Sequence, residues 1–365
     1  MPFEIDVLAV GEGERSGDAI AVRFGSPGAY QVMVYDGGTQ TAGEALVQHV
    51  RTHYQTNRVD YVVNSHPDTD HASGLSVVLT HLDVGQLWIH RPWTYSRAIL
   101  QYFRDGRLTS SSLSNRLKEE MSAAHSLEQL AILKGIPVYE PFQGAQIGPF
   151  FVLSPKQDWY VHTLIPEFEK SPMQKSTAGT SNLGFGLARG MTAAALNIYG
   201  WVAEQWGYET LRETSETSAE NESSVILYGE IDDKGILLTG DGGIRALSAA
   251  ANRLASCGVS LPGHLRYVQV PHHGSRHNVS MSVLDRLVGA RKFWDDGVYP
   301  ITAFASVGAK STTHPRKAVV NAFMRRGARV YQTKSMSIWF GQNMPARGWA
   351  PIEGLPFSDQ VEVWE

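Results

Sequence analysis

Ser65-His66-Pro67-Asp68-Thr69-Asp70-His71 is a turn that carries four side chains able to bind a metal ion, two histidines and two aspartates. An apolar run, Val59 to Val63, precedes the turn and predicts a buried strand. The residues after it, from Ala72 onward, repeat apolar side chains at helical spacing. The four side chains are therefore predicted to lie where a strand ends and a helix begins.

The spacing within this turn predicts two neighbouring metal sites. Alternate residues of an extended chain point the same way, so His66 and Asp68 can converge on one ion. Asp70 and His71, at the entrance of the helix, can reach a second ion beside it. Pro67 has a fixed φ and keeps the preceding residue extended, which stiffens the arrangement. A solvated polar loop is the alternative interpretation of the same residues.

Strand and helix patterns alternate on both sides of the turn, which is typical of an α/β fold. In the first part of the chain, strands are predicted over 5–10, 19–24, 30–35, 59–63 and 86–90, and helices over 42–54 and 75–82. In the last part, strands are predicted over 225–231, 235–239, 265–270, 301–306, 330–333 and 337–340, and helices over 244–256, 280–288 and 315–326.

Residues 91–222 show a weaker pattern, and we interpret them as an insertion within a single domain that spans 1–365. Helices are predicted through 117–133 and near 193–206, and short strands near 137–139 and 146–153. The Pro/Gly/Ser-rich part, 155–190, either shapes a substrate pocket or partner surface or is a solvated connection. The acidic stretch from Ser215 to Glu222 is predicted to be mobile.

The composition excludes several classes of protein. The 365 residues are 42% hydrophobic and 19% charged, which is typical of a globular chain with a core. The net charge of −4 gives no global attraction to nucleic acid, so a polyanion site would need a local basic patch. Cys257 is the only cysteine, which rules out a disulfide framework and a thiolate zinc site. We find no signal peptide and no apolar segment that could span a bilayer, and we expect a soluble cytoplasmic protein with no membrane partner.

Candidate ligands also follow other predicted strands. Asp241 and the pair His272-His273 each come directly after a strand, and Asp36 follows a third. Sites in open α/β folds lie where strands end and loops begin. One carboxylate can hold two ions about 3.5–4 Å apart, which suits Asp241 as a bridging ligand. Asp36, before two glycines, either lies near the site or simply forms a turn.

In the order of these motifs the chain resembles the metallo-β-lactamase superfamily. The superfamily motif His-x-His-x-Asp-His corresponds to residues 66–71, with Asp68 at the second ligand position. This aspartate matches the branch that includes the C-terminal hydrolase domain of the competence protein ComEC. The chain is similar to that branch over about 1–90 and 221–340, in the stretches Gly17-Asp18-Ala19-Ile20, Asp36-Gly37-Gly38, Asn221-Glu222-Ser223-Ser224, Thr239-Gly240-Asp241, His272-His273-Gly274-Ser275 and His314-Pro315.

The resemblance implies a four-layer αββα sandwich of the metallo-β-lactamase type, with 91–222 inserted, and a metal-dependent hydrolase. It implies two divalent ions that bridge a hydroxide, and nucleic acid or another phosphodiester as substrate, as in a nuclease. Replacing one histidine by Asp68 makes the site richer in oxygen, so we expect Mn²⁺ or Zn²⁺. ComEC joins this domain to membrane helices, which this chain lacks, so a role in DNA uptake is not implied.

The expected ligands are His66 and Asp68 on one ion, Asp70, His71 and His272 on the other, and Asp241 between them. Asp70 is also a candidate to orient or deprotonate the attacking water. Asp36 is expected to support a ligating histidine, because such histidines usually donate their second N–H to a carboxylate or carbonyl.

Further candidates surround these ligands. His273 and His314 are expected to protonate the leaving group or, with Ser275, to bind a phosphate oxygen. The superfamily's third motif histidine is absent, and Asn221 or Ser224 is expected to line the site in its place. Basic residues that favour a phosphate-bearing substrate, or are ordinary surface charges, are Arg276, Lys310, Arg316 and Lys317.

Two other functions remain open at this point. The same two-ion site could hydrolyse a small ester, lactone or thioester. A scaffold that acts through 91–222 as an interaction module is the non-enzymatic alternative.

Overall fold

Two seven-stranded sheets form the centre of the computed structural model, which describes residues 1–11, 13, 17–174 and 201–364. The strands are β1 Phe3–Val7, β2 Ala19–Ser26, β3 Ala29–Gly37, β4 Arg58–Val63, β5 Asp83–Trp88, β6 Val138–Tyr139, β7 Gln146–Ile147, β8 Phe150–Ser154, β9 Trp201–Ala203, β10 Ile226–Ile231, β11 Lys234–Leu238, β12 Leu265–Gln269, β13 Ile301–Ala305, β14 Ala328–Gln332, β15 Ile338–Gln342 and β16 Gln360–Glu362. The sheet orders are β15-β1-β2-β3-β4-β5-β6 and β14-β13-β12-β11-β10-β8-β7, and β16 pairs with β9.

The helices connect these strands and cover the sheets. They are α1 Gln40–Thr52, α2 Thr69–His81, α3 Ser96–Ile99, α4 Ser110–Glu120, α5 Ser122–Leu133, α6 Gln157–Trp159, α7 Ile165–Glu167, α8 Ala219–Glu222, α9 Ile244–Ser256, α10 Leu261–His264, α11 Met281–Leu287 and α12 Lys317–Arg325. Among the described helices, none has the length and apolar character needed to cross a membrane.

Three hydrophobic clusters of buried side chains fill the spaces between successive layers of helices and sheets. Buried side chains of α1, α2 and α5 pack on one face of the first sheet. The inner faces of the two sheets pack on each other through residues such as Val22, Met33, Leu227 and Tyr267. Side chains of α9, α11 and α12 cover the outer face of the second sheet. The predicted four-layer αββα sandwich is therefore confirmed.

The parallel strands of both sheets bring their carboxyl ends to one region of the molecule. In the first sheet β3, β4 and β5 are parallel neighbours, and in the second sheet β11, β12, β13 and β14 are. The two sheets are joined here, because the Val225 amide donates to the Ser65 carbonyl over 2.9 Å and the Tyr35 hydroxyl donates to the Val225 carbonyl over 2.7 Å. Loops after these strands therefore lie close together.

Glycines hold α2 tightly against the end of β3. A Cβ added to Gly74 would lie 1.9 Å from the carbonyl oxygen of Gly37, and one added to Gly43 would lie 2.3 Å from the carbonyl oxygen of Gly74. The Gly74 amide donates to the Gly38 carbonyl over 2.9 Å. Only glycine permits these approaches, and they hold α2 at Gly74 against both α1 and the residues that end β3.

The segment 91–222 contributes to both sheets, since β6 pairs with β5 and β8 pairs with β10. Part of the predicted insertion is thus sheet framework, and its division from the rest of the domain stays a prediction. The predicted helix 193–206 is wrong at 201–203, which form β9, and 193–200 lies outside the described residues.

The prediction that 215–222 is mobile is wrong for its last residues, which form α8. Glu222 is buried, and its carboxylate accepts the Ala246 amide over 2.7 Å at the first turn of α9. A buried carboxylate at a helix N-terminus satisfies amides that have no partner within the helix, so acidic composition here indicates a contact rather than mobility.

Candidate metal centre

Asp36, at the end of β3, lies at the base of the site. Its buried carboxylate accepts hydrogen bonds from the Ser65 amide over 2.7 Å, from the Ser65 hydroxyl over 2.5 Å and from His71 Nδ1 over 2.9 Å. With a proton on Nδ1, the Nε2 of His71 is left as a ligand atom. The structure thus places Asp36 where the sequence predicted a carboxylate that supports a histidine.

Asp241 follows β11 and faces the histidines of the first sheet. Its Oδ2 lies 3.5 Å from His71 Nε2 and 3.9 Å from His66 Nε2. The backbone around it is fixed, because its amide donates to Ser224 Oγ over 3.2 Å and Asn278 donates to its carbonyl over 2.7 Å. The predicted meeting of this loop with the turn at 65–71 is therefore present.

His272 and His273 reach the same point from the end of β12, both with left-handed backbone, at φ +47° and +57°. His273 Nδ1 donates to the Ser306 carbonyl over 2.9 Å, which leaves Nε2 as a ligand atom. His272 Nδ1 lies 3.1 Å from Asp241 Oδ2 and 2.9 Å from the Asn221 amide nitrogen. The centroids of the two rings lie 5.5 Å apart, and the ring planes make an angle of 67°.

Within the described residues, two sets of donor atoms lie within 4.8 Å of one another: Asp36, His66 and His71, and His71, Asp241 and His273. In the first set the Asp36 oxygens already accept three hydrogen bonds. The second set therefore offers the better ligands. It includes His273, for which the sequence predicted a proton-transfer role, and not His272.

The donor atoms have the surroundings and the chemistry that suit a divalent ion. His66 Nε2 and Asp241 Oδ1 are buried, and neither has a hydrogen-bond partner among the described residues. Such orphaned polar atoms are rare unless an ion or water completes them. Imidazole and carboxylate together suit Zn²⁺ or Mn²⁺.

The electrostatics of the site also favour a cation. Burial opposes charge on His71, but Asp241 and Asp36 outweigh it and hold the pKa of His71 well above its ordinary value. Burial likewise opposes the Asp241 anion, yet His272 and His71 hold the pKa of Asp241 well below its ordinary value. The site thus stabilises positive charge among its carboxylates.

Asp68 is paired with a residue that the sequence did not indicate. Its Oδ2 lies 3.6 Å from His66 Nε2, and its Oδ1 accepts a hydrogen bond of 2.8 Å from the Lys170 ammonium. Burial would raise the pKa of Asp68, but His66 and Lys170 outweigh it and lower that pKa well below its ordinary value. Lys170 lies in the segment without periodicity, so no pattern could have identified it.

Asp70 and Asp18 complete the acidic surroundings. Asp70 is half-buried and belongs to neither set of donors in the described part of the chain. Asp18 is buried, with Oδ2 4.0 Å from His71 Nδ1, and it accepts a hydrogen bond of 2.7 Å from Gln269. The motif around Asp18 was visible in the sequence, but it gave no indication that the carboxylate approaches a histidine.

His314 lies beside the histidines at the end of β12. Burial, together with the nearby His273 and Arg316, lowers the pKa of His314 to about 4. Ser275 lies in the same loop, where its amide donates to the His272 carbonyl over 2.9 Å.

The predicted basic residues do not all face this site. Arg276 is buried, donates to the Glu362 carbonyl over 2.9 Å and lies 4.6 Å over the Trp364 ring. It therefore packs against the C-terminal strand, which does not support the prediction that it contacts substrate. Lys310 is exposed on the loop after β13.

Comparison with known proteins extends these observations. Residues 13–151 match the model of the metallo-beta-lactamase superfamily. Among solved structures, the chain is similar to yeast PDE1 (12% identity, 91% of this chain and 97% of that chain, TM-score 0.40) and to a diphosphatase of the PhnP family (10%, 93% and 98%, 0.37). It is also similar to a long form RNase Z from yeast (13%, 92% and 41%, 0.36). No curated protein matches the sequence.

The ComEC branch is not tested by these matches and stays a prediction. The matched segment contains the turn at 65–71 and the strands β2 to β5 that position it. Together with the two-sheet architecture, this match shows that the chain has the metallo-β-lactamase fold.

Proposed function

We propose that this chain is a metal-dependent hydrolase that cleaves phosphodiester bonds at the centre around Asp241. The observation that carries the proposal is the convergence of buried ligand atoms from three strand ends, with Asp241 Oδ1 and His66 Nε2 lacking partners within the described residues. Divalent ions held there supply Lewis-acid stabilisation of developing negative charge and lower the pKa of water.

The side chains of the site would orient the ligand atoms before any ion binds. Asp36 holds His71, and the Ser306 carbonyl holds His273, each through Nδ1. The backbone contacts of Asp241 fix the carboxylate between them. Such pre-organisation is what a hydrolytic site requires, because ligands that must reorient weaken metal binding.

The wall beside His273 supports an anionic substrate. His273 and Arg316 lie close enough to His314 to lower its pKa. A phosphoryl group beside His314 and Arg316 would accept hydrogen bonds from them and favour the protonated form of His314. An uncharged ester would bind less favourably beside these groups. We therefore favour a phosphodiester over a small ester, lactone or thioester as the substrate.

The test is hydrolysis of bis(p-nitrophenyl) phosphate, DNA and RNA by the full chain with Mn²⁺ or Zn²⁺. We expect activity that falls at least about a hundredfold in Asp241→Asn and in a His71→Ala variant. His264→Ala, which changes an exposed histidine on α10, is the matched control and should retain activity.

Other outcomes would replace the proposal. Cleavage that survives Asp241→Asn would identify a contaminant. Cleavage of a nitrophenyl ester or a thioester without any phosphodiester activity would favour the small-ester function. A metal-loaded chain that hydrolyses none of these substrates would favour an interaction module.

A further inference from the structure

Lys170 projects a charged group into the metal centre from outside the segment that matches the superfamily model. Its Nζ donates to Asp68 Oδ1 over 2.8 Å, and both side chains are about one-third exposed, at 30% and 32%. Lys170 comes shortly after α7, whereas the match ends at residue 151. A cation from the part of the chain beyond the matched segment thus occupies one oxygen of a predicted metal ligand.

The local backbone holds Lys170 in this position. Its amide donates to Glu220 Oε1 over 3.2 Å. The next residue, Ser171, is buried, and its hydroxyl donates to the Ile165 carbonyl over 2.6 Å. The lysine is therefore anchored on both sides to short helices, and its ammonium lies near three carboxylates, those of Asp68, Glu220 and Asp70.

The predicted first metal position lacks the donors that an ion needs. His66 Nε2 lies 3.6 Å from Asp68 and 3.9 Å from Asp241, but neither described set of three mutually close donors includes Asp68. Asn221, in the stretch that replaces the superfamily's third histidine, turns its amide toward His272. An ion at His66 and Asp68 would therefore have to share Asp241 with the set formed by His71, Asp241 and His273.

We propose that the Lys170 ammonium takes the cation position at Asp68, so that the chain binds one divalent ion tightly, on His71, Asp241 and His273. This inference rests on the proposed metal centre and replaces the expectation of two ions. An ammonium and a divalent ion on the same half-buried carboxylate would repel each other strongly. The fixed ammonium would instead provide the second positive charge beside the substrate.

The experiment measures the number of bound ions rather than activity. The full chain, Lys170→Met and the control Lys156→Met are titrated with Mn²⁺ and Zn²⁺ by calorimetry, and their metal content is measured by mass spectrometry. Lys156 is an exposed lysine of the same segment. We expect one ion per chain in the parent and in Lys156→Met, and a second ion in Lys170→Met.

Two results would overturn the inference: two ions of similar affinity in the parent, or a single ion in Lys170→Met. If Lys170→Met does not fold, Asp68→Asn takes its place. The proposal requires that Asp68→Asn binds one ion with parental affinity, whereas a metal-ligating Asp68 requires a loss. Failure of the proposed function is distinguishable, because a chain that binds no ion and hydrolyses no substrate would lack the metal centre altogether.

Discussion

Replacing Asp36 by asparagine tests whether the ligand atoms are oriented from below the site. The carboxylate accepts three hydrogen bonds, from the Ser65 amide, the Ser65 hydroxyl and His71 Nδ1. In Asp36→Asn the remaining oxygen can still accept from the Ser65 amide. The new NH₂ group then faces His71 Nδ1, where two donors would meet.

The expected losses of stability and of metal affinity both follow from this meeting of two donors. His71 must either lose its partner or move its proton to Nε2, the atom that faces Asp241 at 3.5 Å. A buried donor without an acceptor costs about 1–3 kcal/mol of folding free energy. Loss of the residue that orients a ligating histidine weakens metal binding by about 10–100-fold. We therefore expect both effects in Asp36→Asn.

The assay combines urea unfolding of the metal-free chain with calorimetric titration of Zn²⁺. Asp60→Asn is the matched control, because Asp60 lies in the neighbouring β4 and accepts the Val32 amide over 2.9 Å without contacting a candidate ligand. We expect the control to keep parental metal affinity. Parental Zn²⁺ affinity in Asp36→Asn would refute the reasoning, since the tautomer of His71 would then not depend on Asp36.

Two further predictions concern residues outside the site. Burial lowers the pKa of His90 to about 3, and neither ring nitrogen has a partner among the described residues. Below pH ~6.5 the unfolded chain therefore binds a proton that the folded chain does not, and the free energy of unfolding should fall by up to about 1.4 kcal/mol per pH unit. Urea unfolding should show that this contribution is absent in His90→Phe. Arg325 is fully buried, pairs with Glu204 over 2.7 Å and donates to three backbone carbonyls. Arg325→Met should lower the free energy of unfolding by about 3–5 kcal/mol, whereas Arg286→Met, at an exposed position, should lower it by less than about 0.5 kcal/mol. An equal loss in both variants would contradict the role of the buried pair.

Much of the fold could be predicted because its signals are local. The run from Val59 to Val63 is short and apolar except for Asp60, which favours a parallel strand, and β4 ends at Val63. The prediction of α9 over 244–256 agrees with the structure at both ends, since its apolar residues follow one helical face. The start of α2 was placed too late, because apolar spacing begins after Asp70 whereas the helix begins at Thr69.

The meeting of the candidate ligands could be predicted for a topological reason. Polar residues that follow parallel strands lie at one edge of a sheet, and two stacked sheets bring two such edges together. This argument alone was enough to predict that Asp36, His71 and Asp241 lie close together. The choice between His272 and His273 could not be predicted in this way, because their side-chain directions depend on two consecutive residues with left-handed backbone.

The position of Lys170 could not be predicted from the sequence, yet it gives a physical reason why the motif has an aspartate, Asp68, at its second ligand position. A histidine in place of Asp68 would remove the carboxylate that accepts the hydrogen bond of the half-buried ammonium, and breaking such a pair is destabilising. Conversely, Asp68 without Lys170 would add a further anion to a site that already contains Asp18, Asp36 and Asp241. The aspartate in the motif and the lysine more than a hundred residues later are therefore best understood as one charge pair, of which the sequence motif shows only half.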